Sequence, residues 1–239
     1  MFDALFTTTT EYQKLSHALS GKGACALFGL PASGRAQVYA ALCRQLDKPL
    51  CIVTPGEAEA TRFAADLNTL GIPAAVFPAR DYVLRPIEGT AREYEYCRLA
   101  VLGELVGGRL RAVAVPAEAL TQFTTPKEDF CANTRTLHAG DTLLRDDLLA
   151  ALFGAGYTRR AQVDGPGQFS VRGDIVDIFA PDQKMPVRME FWGDEIDTLH
   201  TFDLTTQRRE DAIDKFYLSP AREVLFGKPA DARSEERRV

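Results

Sequence analysis

Apolar runs alternate with amphipathic stretches in the first half of the chain. Short, nearly continuous apolar runs predict buried strands at residues 24–30, 49–54, 74–77 and 111–116. Apolar residues at helical spacing predict helices at residues 11–19, 36–46, 57–70 and 90–106. Strands joined by helical crossovers are typical of a parallel sheet flanked by helices on both faces. This part of the chain therefore predicts an α/β domain.

The pattern changes after Phe123, where polar, turn-rich sequence leads to a predicted helix at residues 146–153. Residues 157–163 begin a predicted antiparallel set, and residues 169–179 predict one apolar strand interrupted at Gly173. In Val187–Trp192, apolar and polar residues alternate strictly. The Gly193-Asp194 pair is a hairpin signal, after which Glu195–Phe202 returns. A small α+β domain built on an antiparallel sheet is therefore predicted.

These changes of pattern predict the domain limits. We expect residues 1–120 to form the first part of the α/β domain and residues 121–212 to form the inserted α+β domain. Residues 213–239 are expected to return to the α/β domain and to end in a charged tail.

Composition narrows the classes of function. The 239 residues are 46% hydrophobic and 26% charged, which is ordinary for a soluble globular protein. No apolar run approaches the length of a membrane span, and the N-terminus lacks the pattern of a secretory signal, so we expect a cytoplasmic protein. The net charge of −5 argues against a free-standing nucleic-acid binder. The five cysteines form no CxxC pair, which predicts neither a disulfide framework nor a metal site.

One loop has the glycine spacing of a phosphate-binding Walker A motif, GxxxxGK[ST], with Gly29 and Gly34 in register. The motif needs a lysine that reaches the terminal phosphates, and Arg35 stands in its place. It also needs a hydroxyl that holds magnesium, whereas Ala36 has none. Pro31 removes a backbone N–H from the loop. We interpret residues 29–36 as a degenerate phosphate loop, the alternative being a weak nucleotide site.

No other pattern predicts catalysis. Acidic residues are numerous between Asp174 and Asp197, as in a two-metal nuclease, but Lys184 is the only lysine among them and lies in a predicted turn. Solvated acids on a small sheet account for them. We therefore predict no catalytic residue, no metal and no cofactor in this chain.

An exposed aromatic residue points to binding instead. The alternation in Val187–Trp192 places Trp192 on the polar face of its strand together with Arg188, and Arg172 falls on the polar side of its own strand. Tryptophan and arginine dominate protein-binding hot spots. In the alternative interpretation, Trp192 packs beneath a loop and the arginines form solvated ion pairs with Glu190 or Asp174.

Three runs, FSVRGDIVDIF, PVRMEFWGDEID and TFDLTTQR, resemble the signature of one known module. The excinuclease B subunit (UvrB) and the N-terminal part of the bacterial transcription-repair coupling factor (Mfd) share that module. The resemblance extends almost without gaps from Phe169 to Arg208, and its Thr206-Gln207-Arg208 ending is more similar to the coupling factor. It implies a degenerate P-loop, helicase-like domain with an inserted domain that docks onto the excinuclease A subunit (UvrA).

Site residues follow from this resemblance, residue by residue. It implies that UvrA is contacted by Arg172, Arg188 and Trp192, and it adds Arg159 as a further arginine. The family usually has phenylalanine where this chain has Trp192. In physical terms, the arginines and the aromatic ring favour a partner with acidic groups around an apolar pocket.

The function implied is that of an adaptor in transcription-coupled nucleotide excision repair, which recruits UvrA to RNA polymerase stalled at DNA damage. The chain is expected to be a catalytically inactive fragment of a longer ATP-dependent DNA translocase, whose polymerase- and DNA-binding parts lie beyond Val239. The alternatives are an ATP-dependent DNA-handling subunit of the excinuclease B type and a single-strand DNA-binding platform.

Overall fold

The computed structural model describes residues 7–21, 24–46, 48–80 and 91–223. Two compact units result, one of Met1–Arg80 and Glu104–Gln122 and the other of Asp81–Gly103 and Phe123–Val239. The fold is a mixture of α and β structure with both parallel and antiparallel sheets. The predicted charged tail after Phe226 lies outside the described residues.

The first unit is built on a short parallel sheet in the strand order β1-β3-β2. Its strands are β1 (Leu50–Thr54), β2 (Ala74–Val76) and β3 (Ala112–Pro116). Ala112 lies opposite both Leu50 and Ala74, so β3 is the central strand, and all five of its residues are buried. Such complete burial explains why the sequence of β3 is continuously apolar rather than alternating.

The four helices that the apolar spacing predicts are present, as α1 (Thr10–Ser20), α2 (Ala32–Gln45), α3 (Glu57–Thr69) and α4 (Ala91–Val106), and a short α5 (Ala117–Leu120) follows. The first unit contains α1, α2, α3 and α5, whereas most of α4 belongs to the second unit. The Thr9 hydroxyl caps α1 by accepting from the Tyr12 N–H, and two glutamates stabilise the positive end of α3. Phe63 and Leu67 of α3 pack with Ile52 into the core of this unit.

One predicted strand is absent. Residues 24–28 form no strand, and Leu27 and Phe28 are exposed. An apolar run forms a strand only where a neighbouring strand accepts its backbone hydrogen bonds. Within the described residues, β1 and β2 pair with β3 alone, so neither edge of the sheet takes up this segment.

The second unit is built on an antiparallel sheet in the strand order β10-β9-β8-β7-β6-β5. In chain order its elements are α6 (Lys127–Ala132), β4 (Arg135–His138), α7 (Arg145–Gly154), β5 (Thr158–Arg159), β6 (Gln168–Arg172), β7 (Ile175–Phe179), β8 (Val187–Trp192), β9 (Glu195–Phe202), β10 (Arg209–Ala212) and β11 (Lys215–Leu218). Val171, Val176, Met189 and Leu199 lie opposite one another across four strands. This core face packs against Leu148 and Leu152 of α7.

Two predictions for the second unit are wrong. Residues 169–179 form a hairpin of two strands rather than one interrupted strand, because Gly173 adopts a positive φ of 62° that allows the chain to turn. The strand after α7 is only Thr158–Arg159, and it pairs with β6 in the parallel direction rather than the antiparallel one.

The segment after residue 212 also differs from expectation. It was predicted to return to the α/β domain, but β11 pairs with β4, with Phe216 opposite Leu137. Phe216, Leu218 and Ala221 are buried in the core of the second unit, which explains their apolar character. The remaining limits of the predicted domains, at residues 120 and 121, stay a prediction.

Candidate partner-binding site

The hairpin between β6 and β7 places Arg172 at the end of the sheet. Arg172 and Ile175 form the last pair of the hairpin, and Gly173 and Asp174 make the turn. Arg145 holds this turn, since its Nη1 donates to the Gly173 carbonyl at 2.9 Å and pairs with the Asp174 carboxylate at 3.3 Å. The Arg172 side chain stays 47% exposed.

A row of polar residues crosses the sheet on the side opposite the core. Ser170, Asp177, Arg188 and His200 lie directly opposite one another on four neighbouring strands. We call this side of the sheet the polar face. Successive strand residues point to opposite sides, so Arg172, Glu190 and Trp192 lie on the polar face as well.

Asp177 is the centre of the polar face, and its side chain is 1% exposed. Its Oδ1 accepts a hydrogen bond from Arg188 Nε at 2.7 Å, and its Oδ2 accepts one from Arg188 Nη2 at 2.9 Å. The same Oδ2 accepts a third hydrogen bond from Arg172 Nη2 at 2.6 Å. One buried carboxylate thus binds two guanidinium groups, and the cluster carries a net charge of +1.

Arg188 is more deeply buried than the sequence suggests. Its guanidinium lies 4.7 Å from the centroid of the Phe202 ring, and its Nη1 donates to the Gln207 carbonyl at 3.2 Å. The hydrogen bonds to Asp177 raise the pKa of Arg188 above its ordinary value, against the smaller lowering effect of burial. Arg188 is therefore a charged part of the folded sheet, and little of it faces solvent.

The loop after β9 covers Arg188. Asp203 Oδ1 accepts hydrogen bonds from the backbone N–H of Thr206 at 2.7 Å and of Thr205 at 3.1 Å. These bonds, led by the one from Thr206, lower the pKa of Asp203. Gln207 then adopts φ 59°, a left-handed conformation that is uncommon outside glycine. This conformation accompanies a backbone carbonyl that accepts from Arg188, which gives the Thr-Gln-Arg run a structural role.

Trp192 lies at the exposed end of the polar face. Its side chain is among the exposed large apolar groups, at 83% exposure. Arg172 begins a row that continues through Ile175, Glu190 and Thr198 on the neighbouring strands, and Trp192 lies two residues beyond Glu190 on β8. Glu190 pairs with Arg209. Strand spacing and rise place the Cα atoms of Arg172 and Trp192 about 12 Å apart. The two residues are therefore close enough to contact one partner protein together.

Arg159 does not lie with this group. It belongs to the edge strand β5, and its register partner is Phe169, which is buried in the core. Paired strand residues point to the same side, so Arg159 falls on the side opposite Arg172. The structure thus brings Arg172, Arg188 and Trp192 onto one face and leaves Arg159 on the other.

Residues 29–36 were predicted to be a degenerate phosphate loop, and the described residues 24–28 before them form no strand. Gly29 has φ 81°, and α2 begins at Ala32, within this segment. Arg35 Nε donates to the Leu30 carbonyl at 3.4 Å, so its guanidinium contacts its own loop, and Ala36 is buried. Gly34 lies in the first turn of α2, where an added Cβ would lie 3.3 Å from Pro31 Cδ.

Sequence patterns did not identify Asp177 or Gln207 as parts of the site. The signal for Asp177 was its alternation with Val176 and Ile178, which are both buried, and this pattern places an acid on the face of Arg172 and Arg188. For Gln207, no sequence pattern indicates the left-handed backbone.

Comparison with known proteins confirms the resemblance. Residues 136–224 match the model of the family described as UvrB interaction domain. The chain is 34% identical over 218 residues to the transcription-repair-coupling factor of Myxococcus xanthus and 28% identical over 213 residues to that of Bacillus subtilis. These alignments cover 87% and 88% of this chain, and 18% of each relative.

The relatives of this chain also include an excinuclease B subunit. The chain is 28% identical to the UvrABC system protein B of Chlorobium limicola over 216 residues, which are 84% of this chain and 32% of that protein. The chain thus spans about a fifth of the length of the coupling factors that it matches.

The described helices include none with the length and apolar character of a membrane span.

Proposed function

We propose, from the match of residues 136–224 to the UvrB interaction domain, that this chain is an adaptor module that binds the excinuclease A subunit in transcription-coupled nucleotide excision repair. The observation that carries the proposal is the polar face, where an exposed tryptophan and a half-exposed arginine lie within one contact area. Exposed aromatic and arginine side chains are the usual anchors of protein interfaces. The cationic cluster around Asp177 favours an acidic partner surface.

Arg172, Arg188 and Trp192 have different roles in this proposal. Trp192 fills an apolar pocket of the partner, and Arg172 offers its unused N–H groups to a partner carboxylate. Arg188 supports Arg172 from within the sheet through their shared carboxylate. Arg159 has no place on this surface, although it was carried over from the resemblance.

The second part of the proposal is that the chain does not use nucleotide. The loop at residues 29–36 is a degenerate phosphate loop, because Arg35 is hydrogen-bonded to the loop itself and the buried Ala36 offers no hydroxyl for magnesium. ATP-driven DNA translocation, contact with RNA polymerase and contact with DNA are proposed for the remainder of a longer protein. The coverage of only about a fifth of the coupling factors supports that assignment.

Calorimetric titration of this chain with purified excinuclease A subunit tests the adaptor function. We expect saturable binding, weakened about 30-fold or more by Trp192→Ala. The matched control is Phe123→Ala, since Phe123 is also a highly exposed aromatic residue, at 92%, and lies outside residues 136–224. The control should bind as the wild type does. Equal loss in both variants, or no binding by the wild type, would reject the proposal.

A further inference from the structure

We infer that Asp177 is a positioning residue, which fixes the direction of the Arg172 guanidinium so that its outer edge is presented to an acidic group of the partner. This inference rests on the proposed function and deepens it. It concerns a carboxylate whose side chain is buried in the folded sheet.

The first step of the argument is that Asp177 is itself immobile. Its side chain is buried, and both of its oxygens accept hydrogen bonds from Arg188, which lies directly opposite on β8. Arg188 in turn lies against the Phe202 ring and donates to the Gln207 carbonyl. Asp177 is therefore held by Arg188, which is itself fixed by the Phe202 ring and the Gln207 carbonyl.

The second step concerns the capacity of the carboxylate. A carboxylate has about four acceptor positions, of which Arg188 occupies two. Arg172 Nη2 takes one of the two remaining positions, on Oδ2, at 2.6 Å. Ser170, the register neighbour of Asp177 on β6, has a buried hydroxyl with no hydrogen-bond partner among the described residues, so it does not compete for this carboxylate.

The third step concerns Arg172. A guanidinium has five N–H donors in a planar fork, and Asp177 binds one of its nitrogens. Among the contacts described for Arg172, the carboxylate of Asp177 is the one that fixes its direction, and 47% of the side chain stays exposed. Holding a long, flexible side chain in the bound direction before association reduces the entropy lost on binding.

The binding test is a double-mutant cycle with the excinuclease A subunit, using wild type, Asp177→Asn, Arg172→Ala and the double variant. We expect Asp177→Asn to weaken binding about tenfold, the ordering cost of one long side chain, and less than twofold when Arg172 is already alanine. A general structural effect of Asp177 would weaken binding equally in both backgrounds, and that result would overturn the inference.

Arg172→Lys provides a second test if Asp177→Asn fails to fold. Lysine keeps the charge and can still pair with Asp177, but it has no second edge to offer a partner. We expect Arg172→Lys to weaken binding nearly as much as Arg172→Ala, whereas the control Arg62→Lys, at an exposed ion pair with Glu59 in the first unit, has no effect. Full binding by Arg172→Lys would overturn the inference.

A measurement on the free protein separates this inference from the proposed function. In nitrogen-15 NMR spectra, a guanidinium held by a carboxylate shows separate Nη signals because rotation about its Cζ–Nε bond is slow. We expect separate Nη signals for Arg172, which merge in Asp177→Asn. Unchanged Arg172 signals in that variant would overturn the positioning role. If the wild type does not bind the excinuclease A subunit, the proposed function fails. The spectrum then still shows whether Asp177 holds the Arg172 guanidinium in place.

Discussion

We expect Arg188→Ala to lower the free energy of unfolding of this protein, in addition to any effect on binding. The guanidinium of Arg188 is the main partner of a carboxylate that is 1% exposed. Removing one member of a buried ion pair costs about 3–5 kcal/mol, because the other charge stays buried. Since Asp177 keeps its hydrogen bond from Arg172, we expect the lower end of that range, about 3 kcal/mol.

Urea unfolding measures this loss. With a slope of about 2 kcal/mol per molar urea, a loss of 3 kcal/mol lowers the unfolding midpoint by about 1.5 M. Far-UV circular dichroism is a suitable signal, because the chain has a single tryptophan and it is already exposed in the folded protein. Arg172→Ala serves as the control and should shift the midpoint by less than about 0.5 M, since Arg172 is half exposed and Arg188 still binds both oxygens of the Asp177 carboxylate in that variant.

A paired substitution distinguishes lost charge pairing from lost packing. Replacing both charges, as in Asp177→Leu with Arg188→Met, removes the buried charge altogether and should recover most of the stability. An Arg188→Ala midpoint within about 0.3 M of the wild type would refute the reasoning, since it would mean that the buried pair contributes nothing to the folded sheet.

Three further outcomes are expected. Tyr157→Phe loses the hydrogen bond to the Ser219 carbonyl and about 1 kcal/mol in urea unfolding. Burial also raises the pKa of Tyr157 well above 10, so wild-type stability is complete below about pH 10 and falls as pH rises through the folded pKa, a dependence that the variant should lack. Gly156→Ala should cost about 1–3 kcal/mol in the same assay, because φ is 86° and the new Cβ would overlap the Arg222 side chain. A fluorescent ATP analogue should show no saturable binding below about 1 mM, and saturation would restore the nucleotide-site interpretation.

The sheet of the second unit was largely predictable, for a physical reason. Its hairpin at Gly193 is formed by adjacent strands, and the alternation of Val187–Trp192 correctly divides buried Met189 from exposed Trp192. Local spacing carries that information because neighbouring strands pair through a short turn. The hairpin at Gly173 was missed because the flanking residues are apolar on both sides of the turn, which made the glycine look like an interruption.

Contacts between distant segments could not be predicted in this way. The pairing of β11 with β4 joins Lys215 to His138, and no local pattern specifies that partner. The same holds for Asp177, whose role depends on the register of three strands and on the buried position of Arg188. The sequence pattern thus identified Trp192 and the arginines as candidates. Only the structure shows that Arg188 is largely buried against Asp177, whereas Arg172 is half exposed.

Fluorine-19 NMR tests docking through Trp192 most directly. Since Trp192 is the only tryptophan of the chain, 5-fluorotryptophan labelling gives one resonance, which reports on this position alone. We predict that unlabelled excinuclease A subunit shifts or broadens this resonance in proportion to its concentration, while an unrelated acidic protein leaves it unchanged. A resonance that stays in place while calorimetry shows binding would contradict the claim that the polar face is the docking surface.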